Sequence, residues 1–276
     1  MAEGQAGKQP LVLLLHGFPE FSFSWRDQIQ GLAQAGYFVV APDLRGYGQS
    51  DRPIGRSQYR LEELQSDVHE MVRALGYSSC VLVGHDWGAA IAWAAVDDRP
   101  ELYQRLVILN GPHPGAFVRE FFTNPRQLLR SWYMLFFQLP WLPEFLIRRN
   151  HYETIRWMFS SMTTQRQRFS PEVLNRFVDN ASQPGALSAM IHYYRNILRP
   201  SLLLRKWKSP PMPIKVIWGE RDAALGVELL DGLKSYFPKA MIQVHRIPGA
   251  SHWVQQDTPD EVNRVMLEFI QDKPLN

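Results

Sequence analysis

The sequence predicts an α/β fold, a mostly parallel sheet flanked by helices on both faces, with an all-helical insertion. Three observations carry this. Short apolar runs alternate with helical periodicity up to about residue 110. The rhythm stops after "NGPHPG" (110–115) and no convincing strand pattern returns before about residue 210. It then resumes to the end of the chain. Strands alternating with helices at this spacing imply crossover connections and hence parallel pairing.

Taken in order, "LVLLL" (11–15) is a continuous apolar run of strand length, and Trp25–Gln34 reads as a helix. "YFVVAPD" (37–43) is a second strand. "LEELQSDVHEMVRAL" (61–75) sets Leu61, Leu64, Val68, Met71, Val72 and Leu75 at helical spacing. "CVLVG" (80–84) is a strand, "AAIAWAAV" (89–96) a helix, and "RLVILN" (105–110) closes this half. The insertion is aromatic, basic and punctuated by prolines, as in "PRQLLRSWYMLFFQLPWLPEFLIRR" (125–149). After it come a strand in "IKVIWGERD" (214–222), a helix near 227–236, a strand in "MIQVHRI" (241–247) and a helix from about Asp260 to Ile270. The expected organisation is one core, residues 1–113 and 211–276, interrupted by a helical cap over 114–210.

Composition narrows the class. The chain has 276 residues, 45% hydrophobic and 21% charged, enough for a large core. Its net charge of +3 is too small to argue for a nucleic-acid partner. The distribution is uneven: 14 Lys+Arg against 5 Asp+Glu between Pro114 and Lys208 gives +9, leaving −6 elsewhere. One cysteine, Cys80, excludes a disulfide framework and suits a reducing compartment. No secretory signal is read, and "LVLLL" is far too short to span a bilayer, so a cytoplasmic protein is expected. No metal-ligand cluster or dinucleotide fingerprint is present, and "DLRGYGQSD" lacks the G-x-G-x-x-G spacing, so neither metal nor cofactor is expected.

Four stretches carry chemistry, each where an expected strand ends: "HGFPE" (16–20), "GHDWG" (84–88), "WGERD" (218–222) and "GASHW" (249–253). Ligands of open parallel sheets bind beyond the carboxyl ends of the strands, so the four can converge. Glycines bracketing Asp86 let a bulky residue occupy a tight strand-to-helix turn, the place where many hydrolases carry a serine nucleophile. The order Asp86, Asp222, His252 is then nucleophile, acid, base. A serine attacking a saturated carbon would form an ether that histidine-activated water cannot cleave. A carboxylate forms an ester, which can be hydrolysed at its carbonyl. The helix N-terminus after the turn favours the charge on Asp86. The backbone N–H groups of Phe18 and Trp87 are candidates for the oxyanion hole.

These motifs resemble the epoxide hydrolases of the α/β-hydrolase superfamily over essentially the whole chain. "HGFPE", "DLRGYGQSD", "GHDWG", "WGERD" and "SHW" match that pattern in order. The likeness is greatest to the animal epoxide hydrolase 3 and 4 type, whose membrane-anchored N-terminus is not matched in this sequence. The resemblance implies an α/β-hydrolase fold and makes the insertion a lid. It places Tyr133, in "WYMLFFQLPWLPEF" (132–145), and Tyr194, after "SQPGALS", as donors to the epoxide oxygen. A phenol of pKa about 10 can donate to a departing alkoxide where water is a poor acid. Flanking the motifs, His16, Pro19, Phe137, Gln138 and Trp253 are the substrate-binding candidates.

The expected reaction is conversion of a small-molecule epoxide, lipid-derived or aromatic, to a vicinal diol. A haloalkane-type dehalogenase of the same fold, or a non-catalytic ligand receptor on its scaffold, stays open. Trp87 occurs in both enzyme types. Asn110, where some dehalogenases carry their acid, is neutral, which favours Asp222 for that task. Monomer and homodimer are equally compatible with the sequence. The basic, aromatic insertion makes membrane-surface association a further expectation.

Overall fold

The computed structural model describes residues 1–231, 233 and 242–272. Among the described residues, seven strands form one sheet: β1 (Ala2–Glu3), β2 (Leu11–Leu15), β3 (Phe38–Val40), β4 (Cys80–His85), β5 (Tyr103–Leu109), β6 (Ile214–Gly219) and β7 (Ile242–Ile247). Their spatial order is β1-β3-β2-β4-β5-β6-β7, and every pairing is parallel except that of β1 with β3. β2 and β4 are buried at every position, as continuous apolar runs between two helical layers must be.

Helices α1 (Arg26–Gln34), α2 (Leu61–Ala74) and α3 (Trp87–Asp98) belong to the first half. Between β5 and β6 lie α4 (Pro114–Thr123), α5 (Pro125–Arg130), α6 (Trp132–Phe136), α7 (Leu142–Met162), α8 (Pro171–Ser182), α9 (Ala186–Arg195) and α10 (Pro200–Leu203). The short α11 (Val254–Asp257) and α12 (Pro259–Gln271) follow β7. The sheet has a hydrophobic cluster on each side. One, with Trp25, Leu32, Val39 and Met266, packs beneath α1 and α12. The other runs from Leu13 and Trp93 into Phe159, Phe177 and Tyr194 of the insertion.

Differences from the sequence reading have local causes. The strand expected over 37–43 is paired only at Phe38–Val40; Pro42, lacking an N–H, cannot donate to a ladder. β1 is too short to leave a periodic signal. The helix expected near 227–236 begins as a 3₁₀ turn, Val227–Leu230, and the rest of that stretch falls largely outside the described residues. α7 is broken by left-handed backbone at Asn150, His151 and Tyr152, where nothing in the apolar spacing marks an interruption.

The crossing of β2, β4 and α3 is as tight as a backbone allows. A Cβ at Gly88 would lie 2.1 Å from the Leu15 carbonyl oxygen, and one at Gly84 would lie 2.4 Å from that of Gly88. Overpacking of this kind typically costs about 1–3 kcal/mol. Gly88→Ala is expected to lower the urea midpoint accordingly. Gly249→Ala, where a Cβ would meet nothing within 4 Å, is expected to leave it unchanged. Equal midpoints would contradict the close-approach argument.

Candidate active site

β4 ends and α3 begins at Asp86, whose backbone sits at φ 51° and ψ −117°. Such a conformation costs about 1–3 kcal/mol for an L-residue and aims the side chain out of the turn. The Phe18 N–H, in the loop after β2, donates to Asp86 Oδ1 at 2.8 Å. The Trp87 N–H at the start of α3 also favours the charged carboxylate. Gly17 lets this loop come so near: a Cβ there would lie 2.4 Å from that of Asp86.

His252, in the loop after β7, presents Nε2 to Asp86 Oδ2 at 3.6 Å, and its Nδ1 lies 2.7 Å from Asp222 Oδ2. Asp222, after β6, is held from the other side as well. Its Oδ1 accepts from the N–H groups of Ala224 and Leu225, and its Oδ2 from Asn110 Nδ2. Asn110 is itself clamped by β6, donating to the Gly219 carbonyl and accepting from the Gly219 N–H. The neutral residue after β5 thus orients the acid.

Burial and charge divide the protonation states. Burial raises the pKa of Asp86, opposed by the positive field of His252 and His85 and by the amides of Phe18 and Trp87. Burial works against a charged His252, but Asp222, Asp86 and Glu20 outweigh it and bring its pKa up to about 9. For Asp222, burial is outweighed by His252 and Asn110, and its pKa is lowered.

Glu20 is a residue the sequence reading passed over. It is fully buried, and its carboxylate faces His85 Nδ1 at 2.7 Å while accepting from Gln255, Gln256 and the Gly17 N–H. His85 Nε2 in turn meets the His252 carbonyl at 2.8 Å. Against the cost of burial, His85 holds the Glu20 carboxyl at about 2, so an anion sits permanently behind the His252 loop. The signal was available: "HGFPE" and "GHDWG" each carry one half of this pair.

A cavity of about 250 Å³ opens over Asp86 and His252, lined also by Phe18, Pro19, Tyr133, Tyr194 and Trp253. A second apolar recess, lined by Trp87, Phe117, Met134 and Leu225, also reaches Asp86. Tyr133 and Tyr194 have their ring centroids 5.8 Å apart, and burial raises the pKa of both phenols, so they stay protonated. The Tyr194 ring is wedged edge-on against Phe18, Trp87 and Phe137.

Three candidates stand apart from the lining. His16 is fully buried, with Nδ1 on the Gly17 carbonyl and Nε2 accepting from the Leu44 N–H, so it shapes the loop that carries Phe18. Gln138 spends its amide N–H groups on the carbonyls of Met134 and Tyr194, tying the two tyrosine-bearing segments together. Phe137 packs behind the phenols.

The family model for the alpha/beta hydrolase fold matches residues 10–259. The chain is 43% identical to human epoxide hydrolase 4 over 277 residues, covering 99% of this chain and 75% of that protein. It is 39% identical to epoxide hydrolase 3 of Xenopus tropicalis, covering 96% and 72%. Among solved structures, an epoxide hydrolase of Bacillus megaterium bound to an inhibitor superposes with a TM-score of 0.89 at 36% identity, covering 99% of this chain and 96% of that one.

The field around His252 can be read directly. In an NMR titration its imidazole is expected to titrate near pH 9, above the ordinary value of about 6.5. Asp222→Asn removes the largest of the charges that oppose burial, so the pKa is expected to fall from that value. An unshifted titration in the variant would contradict this assignment.

Proposed function

The chain belongs to the alpha/beta hydrolase fold family and, within it, to the epoxide hydrolases; on that premise we propose that it converts epoxides to vicinal diols through a covalent ester on Asp86. The observation that carries the proposal is the meeting of a carboxylate, an imidazole and two protonated phenols over one cavity. Asp86 attacks an epoxide carbon, the C–O bond of the ring breaks, and the ring oxygen develops charge facing Tyr133 and Tyr194. A phenolic proton completes the new hydroxyl. The alkyl group is left esterified to Asp86.

Esterification neutralises the carboxylate, so one of the charges that raise the basicity of His252 disappears. Its pKa falls from about 9, the imidazolium proton leaves by way of solvent to restore the phenol that lost one, and the neutral imidazole becomes able to take a proton from water. That water attacks the ester carbonyl. The N–H groups of Phe18 and Trp87, already engaged with the carboxylate, are placed to stabilise the tetrahedral oxyanion. Collapse releases the diol and restores Asp86. Asp222 and Asn110 hold the imidazole through both steps. The domain division of the sequence reading fits this chemistry: the core supplies nucleophile, base and acid, and the cap supplies the phenols.

The phenols separate this reaction from dehalogenation on the same scaffold, because a halide leaves without a proton. Tyr133→Phe and Tyr194→Phe are each expected to slow ester formation about 10²- to 10³-fold, the typical cost of one preorganised donor. Ester hydrolysis should change little. Stopped-flow tryptophan fluorescence with styrene oxide follows the two steps separately. A double Phe variant that alkylates at the parent rate would overturn the role of the phenols, and retained halide release from haloalkanes would favour the dehalogenase.

A further inference from the structure

We propose that the outer face of the helical insertion docks on an anionic lipid bilayer, with the mouth of the cavity turned toward the lipid. The first observation is where apolar surface is left uncovered. Trp132 is 61% exposed, Trp141 69%, Phe145 55% and Trp157 56%, and Leu129 and Leu135 beside them are exposed too. All lie on α5, α6, α7 and the turn between the last two. Clusters of exposed large apolar side chains are unusual on a freely soluble surface. Tryptophan in particular suits the headgroup region, where one edge of the ring is wet and the other apolar.

The second observation connects this face to the chemistry. Trp132 and Trp157 line the cavity that holds Asp86 and His252, as does Arg130. Two of the exposed aromatics, Trp132 and Trp157, therefore belong to the wall of the cavity that holds the reacting groups. A substrate leaving the lipid would enter without crossing water.

Charge decides which occupant fits. Among the described residues, exposed Arg126, Arg148 and Arg149 stand outside every ion pair, while Arg130 and Arg156 have acidic neighbours in Glu228 and Glu153. Glu144, the other carboxylate of α7, is buried against Arg195 and does not offset them. A second copy of the chain would bring this face, in an insertion of net charge +9, against itself. A bilayer with anionic headgroups complements both the cations and the aromatics. No described helix is long and apolar enough to cross a membrane, and the proposed contact is made by surface side chains. The docking rests on surface composition alone. Only its use, delivery of apolar epoxides, rests on the proposed activity.

Flotation with vesicles separates the outcomes, and binding is read independently of turnover. The protein is expected to float with phosphatidylglycerol-containing vesicles at low salt, to be released at high salt, and to ignore pure phosphatidylcholine. Arg148→Glu with Arg149→Glu, and separately Trp141→Ser with Phe145→Ser, are expected to weaken flotation roughly tenfold or more. Both double variants should keep the parent turnover of water-soluble styrene oxide, which also shows that they fold. Equal binding to neutral vesicles, or flotation unchanged in both variants, would overturn the proposal. So would self-association in analytical ultracentrifugation that Trp141→Ser with Phe145→Ser abolishes, without vesicle binding. If vesicle binding behaves as expected while the parent turns over no epoxide, the docking stands and the catalytic reading falls.

Discussion

Asp86 is held on a backbone bend that an L-residue adopts only under strain, and the site is assembled around that bend. The conformation at φ 51° survives because β4, β2 and α3 meet through glycines that leave no room for rearrangement. The same crossing brings the Phe18 and Trp87 N–H groups onto the carboxylate. Nucleophile and oxyanion donors are thus one mechanical unit, fixed by sheet packing, and the helix N-terminus adds its favourable field. Loops after β6 and β7 have only to deliver Asp222 and His252 to it.

The second constraint is electrostatic. Anions surround His252: Asp222 against Nδ1, Asp86 near Nε2, and Glu20 behind the loop. Two of them are permanent and one is lost in the first half of the proposed cycle. That asymmetry lets one imidazole balance the nucleophile's charge and then act as base, without any conformational change. The phenols depend on a separate anchor. Arg195 makes a two-point ion pair with Glu144 and donates to the carbonyls of Phe137 and Leu139. This locks α9 to α6 and α7, and hence Tyr194 to Tyr133. Removing one partner of such a buried pair typically costs about 3–5 kcal/mol, so the pair is a structural commitment as well as a positioning device.

Much of this was legible because α/β architecture concentrates chemistry at strand ends. Asp86, Asp222 and His252 each follow an apolar run that could only be a strand, and their convergence followed from parallel topology. Asn110 was visible as a residue but not as a clamp, because its role depends on β6 lying beside β5. Glu20 and His85 were hidden for a similar reason: each reads as part of a motif, while their pairing is a contact across 65 residues. His16 and Gln138 show the opposite case. Polar residues beside a motif invite a binding role, but backbone groups had already claimed their hydrogen bonds. In the insertion, proline punctuation marked the helix starts, whereas the break at Asn150–Tyr152 has no counterpart in apolar spacing.

The covalent use of Asp86 is the central claim, and the origin of one oxygen atom tests it most directly. In a single turnover in ¹⁸O-water with enzyme in excess, the oxygen added to the first diol should come unlabelled from the Asp86 carboxylate, and the label should appear in the Asp86 peptide. Label passing straight into that first diol would mean that water attacks the epoxide itself, with Asp86 no more than a base.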